Sequence, residues 1–405
     1  LPLTAEPLGP AEFAALMAPL GPFGPAPRLA AGVSGGPHSL ALALLAQDFA
    51  QARGGSVVGM VADHGLRSGS AAEAEWTIRT LRDAGVEAQL IALDLAGGAA
   101  LQERARDARL AALLDCCAKQ GRPWLLLGHH RMDQAETVLF RALRGSGGAG
   151  MAGMAALRPT ASALLLRPLL GVPPARLEAT LAARGIVPLR DPSNTDPRFT
   201  RVRLRQALGD PGGQGPAVAA LAEAGAAFAL RRAARRRALA ECLTSAATLM
   251  PEGWVRLDAA ALGEGALADE ALAALLRLVA GAEHAPAAGA VRALRRRGGG
   301  TLGGVLWREG LLCREPSGCA APVPAVPDRR WDRRWRLRGA PRPGLSIGAL
   351  GVAASDLPRG RRRGLPALVL SGLPALWRDG RLEAVPPLTE PGCLDFDPAG
   401  GPLLG

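Results

Sequence analysis

Between Leu29 and Arg144 the chain alternates four short apolar runs with four longer segments whose apolar residues recur every three or four positions. Few folds tolerate that alternation: strands buried on both faces and joined by crossover helices build a mainly parallel α/β sheet. Leu29–Val33, Ser56–Ala62, Ala88–Leu93 and Trp124–Gly128 are the expected strands. Leu40–Ala52, Ala71–Ala84, Leu101–Lys119 and Asp133–Leu143 are the expected helices. Ligands of such sheets bind beyond the carboxyl ends of the strands, so informative side chains should follow each run directly.

After the first run comes Ser34-Gly35-Gly36-Pro37-His38-Ser39 and then an apolar helix. Adjacent glycines let successive N–H groups turn inward, and the helix start adds its positive dipole end, so an anionic phosphate is the natural guest. Ser34 and Ser39 add hydroxyl donors. No Gly-Lys-Ser/Thr follows, which excludes a Walker loop. Asp63 follows the second run, and His129, His130 and Asp133 follow the fourth. Further on, Arg201, Arg203 and Arg205 are spaced so that on a helix Arg201 and Arg205 share a face while Arg203 points elsewhere.

With 405 residues and 48% hydrophobic side chains, the chain can bury more than one core. A Pro/Gly stretch at Asp210–Gly215 and a Pro-rich one at Ala321–Pro327 divide it into residues 1–209, 210–327 and 328–405. The middle part is expected to be helical, with Ala217–Leu243 as one long helix and others near Ala266–Val279 and Ala288–Arg297. The last is a small α+β part with β-like runs at Leu365–Leu370 and Leu376–Val385. No run approaches the roughly 18 apolar residues of a membrane helix, and Leu1–Phe23 lacks the basic start of a signal peptide, so a cytoplasmic location is expected. The six cysteines form no C-x-x-C pair, which removes the usual spacing for zinc, a cluster or a redox dithiol; free, mostly buried thiols are expected. The net charge is +12, and Arg329–Arg363 holds eleven arginines and two acids. With Trp331 and Trp335 among them, that stretch offers phosphate pairing and base stacking, as RNA binding requires; a solvated face is the alternative.

The Ser-Gly-Gly-x-x-Ser turn resembles the pyrophosphate loop of the N-type ATP pyrophosphatases. Within them, Asp63-His64-Gly65-Leu66-Arg67, Gly128-His129-His130-Arg131-Met132-Asp133-Gln134-Ala135-Glu136-Thr137, Arg167-Pro168-Leu169-Leu170-Gly171, Asp191-Pro192-Ser193-Asn194 and Phe199-Thr200-Arg201-x-Arg203-x-Arg205 resemble the tRNA(Ile)-lysidine synthases. The resemblance covers roughly Leu29–Arg205, more weakly Leu373–Trp377 and Ala384–Pro386.

That resemblance implies a PP-loop catalytic domain over 1–209 and tRNA-binding domains over 210–327 and 328–405. It implies ligation of free lysine to C2 of the wobble cytidine of an isoleucine tRNA with a CAU anticodon, through an adenylated tRNA. Ser34, Gly35, Gly36, Pro37, His38, Ser39 and Asp63 would bind ATP; Asp133 and His129 would be catalytic; Arg201 and Arg205 would hold tRNA. ATP and Mg²⁺ are the implied cofactors. The oligomeric state stays open, a homodimer being one option.

Four positions depart from the family pattern. His38 stands where the loop has Asp, and an imidazole does not replace a hard carboxylate oxygen toward Mg²⁺, so the metal ligands are left unassigned. Met132 replaces the first acid of an Asp-Asp pair, Val202 an asparagine, and Gln102 a glutamate. These changes keep open a catalytically altered or inactive tRNA-binding protein. A tRNA thiolation enzyme and a small-molecule amidating synthetase are the remaining alternatives.

Overall fold

The computed structural model describes residues 5–63, 65, 69–93, 101–190, 198, 200–339, 343–389, 393–401 and 403, with side chains at 101–103 and 149 excepted. His64, Leu66, Arg67, Asp191 to Asn194, Phe199 and the Gln102 side chain lie outside them. The chain divides into two compact units, Leu1–Arg232 and Ala233–Gly405.

The first unit begins with α1 (Pro10–Met17), β1 (Arg28–Val33), α2 (Pro37–Gln51), β2 (Ser56–Asp63), α3 (Ser70–Asp83) and β3 (Glu87–Ala92). It continues through α4 (Leu101–Gln120), β4 (Trp124–Leu127), α5 (Arg131–Leu143), α6 (Gly148–Met151), β5 (Leu157–Pro159) and β6 (Leu164–Leu166). Then come α7 (Pro174–Ala182), α8 (Thr200–Leu208) and α9 (Pro216–Ala246), the last continuing past Arg232. The strands form one sheet in the order β3-β2-β1-β4-β6-β5, parallel except for β5 against β6.

Alternation along β1 and β2 explains the two covered faces. Leu29, Ala31, Val33, Val57 and Val61 join a core with α1, α2 and α7, while Ala30, Val58 and Met60 meet Leu113, Cys116 and Cys117 of α4. Helix α2 is buried throughout Leu40–Ala46 because it packs on β1 and β2 and also under α1, α3 and α7. Each leucine buried there contributes about 1.5–3 kcal/mol. The winding runs outward from β1 to β3, then returns through α4 to β4 on the other side of β1. The chain therefore switches direction between β1 and β4, which opens a crevice at their carboxyl ends.

The second unit packs α11 (Ala266–Ala280) and α12 (Ala288–Arg297) against an antiparallel sheet of β7 (Ala247–Leu249), β8 (Val255–Leu257), β11 (Leu311–Arg314), β10 (Val305–Arg308) and β9 (Gly300–Leu302), with the short α10 (Ala259–Leu262) between β8 and α11. Two smaller sheets follow. One orders β12 (Val323–Pro324), β15 (Ser346–Ala349), β16 (Pro374–Arg378) and β17 (Arg381–Ala384); the other orders β13 (Arg330–Trp331), β14 (Trp335–Leu337) and β18 (Leu394–Phe396).

Three expectations are corrected. Leu365–Leu370 is not a strand: Pro366 caps a helical turn, α13 (Ala367–Leu370), which buries Val369 and Leu370. Asp210–Gly215 is a folded turn, with the Asp210 carboxylate accepting from the N–H groups of Gln214 and Gly215. Trp331 and Trp335 are each 1% exposed and pack in a core with Leu337 and Ile347, so they offer no face to a base. All six thiols are free and none is exposed. No helix among the described residues is long and apolar enough to cross a membrane.

Candidate functional site

Two turns meet at the switch point. The first, Ser34–Gly36, leads from β1 into α2, where Gly36 is the extended N-cap and Pro37 the first helical residue. Gly35 has φ +77°, and a β-carbon there would fall 2.5 Å from Thr77 Oγ1, so only glycine fits. Ser39 Oγ ties the turn: it accepts from Ser34 N at 3.1 Å, donates to Gly36 O at 3.0 Å and lies 3.2 Å from Ser34 Oγ. Across the sheet edge, Asp63 Oδ1 accepts from Gly65 N at 3.0 Å at the end of β2.

The second turn, Gly128–His130, leads from β4 into α5. A β-carbon on Gly128 would lie 3.0 Å from Ser39 Cα and 3.1 Å from His38 C and O, so the two turns touch backbone to backbone. The His38 and His130 rings pack edge to face at 4.0 Å. His130 is the N-cap of α5, and Asp133 Oδ2 accepts from His130 N at 3.0 Å while lying 3.4 Å from the ring Nε2. The contacts run without a gap from the glycine turn through His38 and His130 to Asp133. Burial pushes the His38 imidazole down to about 3, aided by His130, and the same burial with the field of Arg205 pushes His130 down to about 3. His129 is lowered too, by burial first, against the opposing pull of Asp133. All three rings are therefore neutral at pH 7.

Helix α8 supplies the cations. Arg205 Nε donates to Glu136 Oε1 at 2.7 Å, and its Nη2 lies 3.8 Å from Asp133 Oδ1. Glu136 is 2% exposed; burial raises its pKa and Arg205 opposes the rise. Arg201 shares that face and adds to the field on Glu136, whereas Arg203 turns back to Arg198 O and Thr200 Oγ1. Arg167 donates to Ala155 O at 2.8 Å and is pushed down to about 10 by burial and by Arg158 and Arg106. Arg106 in turn feels Arg201, Arg109 and Asp133 after its own desolvation.

Of the residues singled out in the sequence, Ser34, Gly35, Gly36, Pro37, His38, Ser39, His129, Asp133, Arg201 and Arg205 gather at this crevice, and Asp63 ends the neighbouring strand. Arg167 and Glu136 lie inside quoted motifs without a role, and Arg106 lies outside them all; their crowding becomes visible only in space. Gln134 is a support: it donates to Met154 O and accepts from Met154 N, pinning the Gly-rich segment after α5. Met132 is 1% exposed and Val202 8% exposed, so both replacements fill packed positions, in which an acid at the first would lose its water and an amide at the second would need a buried hydrogen-bond partner.

The sequence matches the PP-loop domain family over residues 11–211. The tRNA(Ile)-lysidine synthase of Ruegeria pomeroyi is 35% identical over 381 residues, covering 89% of this chain and 89% of that protein. The tRNA(Ile)-lysidine synthase of Novosphingobium aromaticivorans is 44% identical over 212 residues, covering 50% of this chain and 64% of that protein. Among solved structures, the U34-tRNA thiolase NcsA from Methanococcus maripaludis with its [4Fe-4S] cluster is 15% identical, covers 55% of this chain and 78% of that one, and superposes with a TM-score of 0.46.

Proposed function

The chain belongs to the tRNA(Ile)-lysidine synthase family, and from that premise we propose that it joins free lysine to C2 of the wobble cytidine of an isoleucine tRNA with a CAU anticodon, using ATP. One observation carries the site assignment: the glycine turn and the Asp133 carboxylate share one crevice, linked by the His38–His130 contact.

In this reading the N–H groups of Ser34–Gly36 and the start of α2 hold the triphosphate, with Ser34, Ser39 and Asp63 completing the ATP side. The cytidine O2 attacks the α-phosphorus, an O–P bond forms, and pyrophosphate leaves as its bridging P–O bond breaks. Arg106, Arg167 and neutral His129, donating from one ring nitrogen, stabilise the charge on the departing group. The lysine ε-amine then attacks C2, the C2–O bond breaks, AMP leaves, and the amine proton passes to water. Asp133 accepts hydrogen bonds from that amine and aims it. Arg201 and Arg205 face the tRNA, and residues 210–327 and 328–405 grip its body. The cytoplasm, where tRNA, ATP and lysine meet, is the place of this reaction.

The described residues form no resident all-protein cage for the family's Mg²⁺. His38 supplies no carboxylate and among those residues no three His, Cys, Asp or Glu side chains gather as a cage, so an ion would arrive with the nucleotide's phosphates, and Asp63 or Asp133 would be the carboxylate to hold it.

The test is mass analysis of tRNA nucleosides after incubation with isotopically labelled lysine and ATP. A labelled cytidine adduct is expected. Tight tRNA binding with neither adduct nor pyrophosphate release would mark a binding protein instead and end this reading.

A further inference from the structure

Two glycines in a row leave the peptide between them free to turn either way, so a group outside the turn must decide which of its atoms faces a ligand. Gly35 and Gly36 are joined by a trans peptide, in which the Gly35 carbonyl and the Gly36 N–H point to opposite sides. The deciding group is Leu189 N–H, which donates to Gly35 O at 3.0 Å. The Gly36 carbonyl is engaged as well, accepting from Ser39 Oγ at 3.0 Å and from Leu40 N at 3.1 Å. With both carbonyls taken, the N–H groups of Gly35 and Gly36 have no partner among the described residues, and Gly35 is buried. Buried backbone donors are seldom left unpaired, which marks these two for a ligand.

Leu189 also closes the space beside the turn. A β-carbon on Gly35 would lie 2.8 Å from Leu189 Cδ1 and 2.5 Å from Thr77 Oγ1, and Thr77 is itself held by donating to Glu73 O at 2.7 Å. Residues 186–190 reach the turn from a fixed frame. Helix α7 ends at Gly185, with φ +69° and Ile186 N donating back to Leu181 O at 3.1 Å. Arg184 pairs with Asp48 of α2 at 2.5 Å before the segment, and Arg190 pairs with Glu178 of α7 at 2.8 Å after it.

We propose that Leu189 is a positioning residue for the nucleotide: its backbone N–H holds the Gly35–Gly36 peptide so that Gly36 N–H donates to the pyrophosphate part of ATP. Released, the peptide can turn over and aim the Gly35 carbonyl oxygen at that anion, exchanging attraction for repulsion. This rests on the ATP reading above and adds to it a residue outside the glycine turn. The phosphates are anionic before and after attack, so the loss shows in ATP affinity rather than in the rate at saturation.

Replacing Leu189 by its α-hydroxy acid analogue in the full-length chain turns the N–H into an ester oxygen and keeps the side chain. In Mg²⁺ buffer, KM for ATP should rise tenfold or more, with kcat changed less than threefold and KM for lysine less than twofold. Calorimetry should show pyrophosphate binding weakened tenfold or more and AMP binding less than twofold. Leu189→Met keeps the N–H and should match the wild type within twofold. Lower kcat with unchanged KM for ATP, or unchanged pyrophosphate affinity, would overturn the inference and leave the ATP reading standing. Should the ester chain fail to fold, NMR of the wild type decides: the Gly36 amide signal should move when pyrophosphate is added, and a signal that stays put while pyrophosphate binds would overturn the inference. A folded wild-type chain that binds neither ATP nor pyrophosphate would overturn both.

Discussion

Arg205 on α8 reaches across to Glu136 on α5 with Nε 2.7 Å from Oε1, and the carboxylate it meets is 2% exposed. Through its other nitrogen the same guanidinium stands 3.8 Å from Asp133, so one side chain fixes the position of two acids. Removing Arg205 strands a buried carboxylate. Because the guanidinium is partly in solvent, Arg205→Ala should cost about 1–3 kcal/mol of stability in urea unfolding, less than a fully buried pair, and Glu136→Gln in the same chain should recover much of it. Equal losses in the single and double variants would refute the pairing.

Acid should weaken the first unit before ordinary carboxylates titrate. The His130 imidazole is held near 3 in the folded chain by burial and Arg205, while the unfolded chain protonates it near 6.5. Above 6.5 both states are neutral and the group is silent. Below that, only the unfolded state binds the proton, so stability falls as pH drops from about 6.5 toward 3. The slope is about 1.4 kcal/mol per pH unit for each such imidazole. Urea unfolding at pH 7.0 and 5.5 measures it, and His130→Asn should remove one imidazole's share of the difference while His38 and His129 keep theirs; a wild-type chain equally stable at both would contradict the burial of neutral imidazoles.

Thiol chemistry gives an independent check on the two cores. Burial pushes Cys117 up to about 11 and Cys313 up to about 11, so neither is a thiolate at pH 8. Alkylation of the native chain followed by peptide mass analysis should leave both unmodified, and denaturant should expose them. Rapid native labelling of either would show that its core is open.

The arginine-rich stretch divides into bound and free members. Arg330 and Arg336 both end on Asp397 at 2.7 Å, and Arg334 is locked to the buried Asp332. Arg359, Arg361 and Arg363 are exposed, with no carboxylate partner among the described residues. Replacing these three by glutamine should weaken tRNA binding and lower the slope of log affinity against log salt by up to about two to three units. Arg330→Gln should act mainly on stability. The reverse pattern would return the RNA contact to the β13–β14 hairpin.

The parallel sheet and its crossover helices were legible because their periods differ and the runs are long enough to show it. Strands β5 and β6, three residues each, carry no period at all. Leu365–Leu370 illustrates the same limit: six apolar residues fit a strand or a helical turn equally well, and Pro366 decided the matter locally. For the site, adjacency in the motif exposed His129 and Asp133. The structural weight of His130 lay in its i, i+3 relation to Asp133 at a helix start, a signal present in the sequence and unused. Trp331 and Trp335 were misread because composition reports which residues are near in sequence, whereas burial depends on β18, some sixty positions later. Arg106 and Arg167 joined the site only through the crossover of α4 and the return of β6.

The most direct measurement compares wild-type and Asp133→Ala chains for transfer of isotopically labelled lysine to tRNA in the presence of ATP, with circular dichroism confirming that both are folded. Adduct formation by the wild type is expected, with a loss of at least a hundredfold in the variant, about 2.7 kcal/mol or more of transition-state stabilisation. An Asp133→Ala chain that ligates lysine at the wild-type rate would contradict the role given to Asp133.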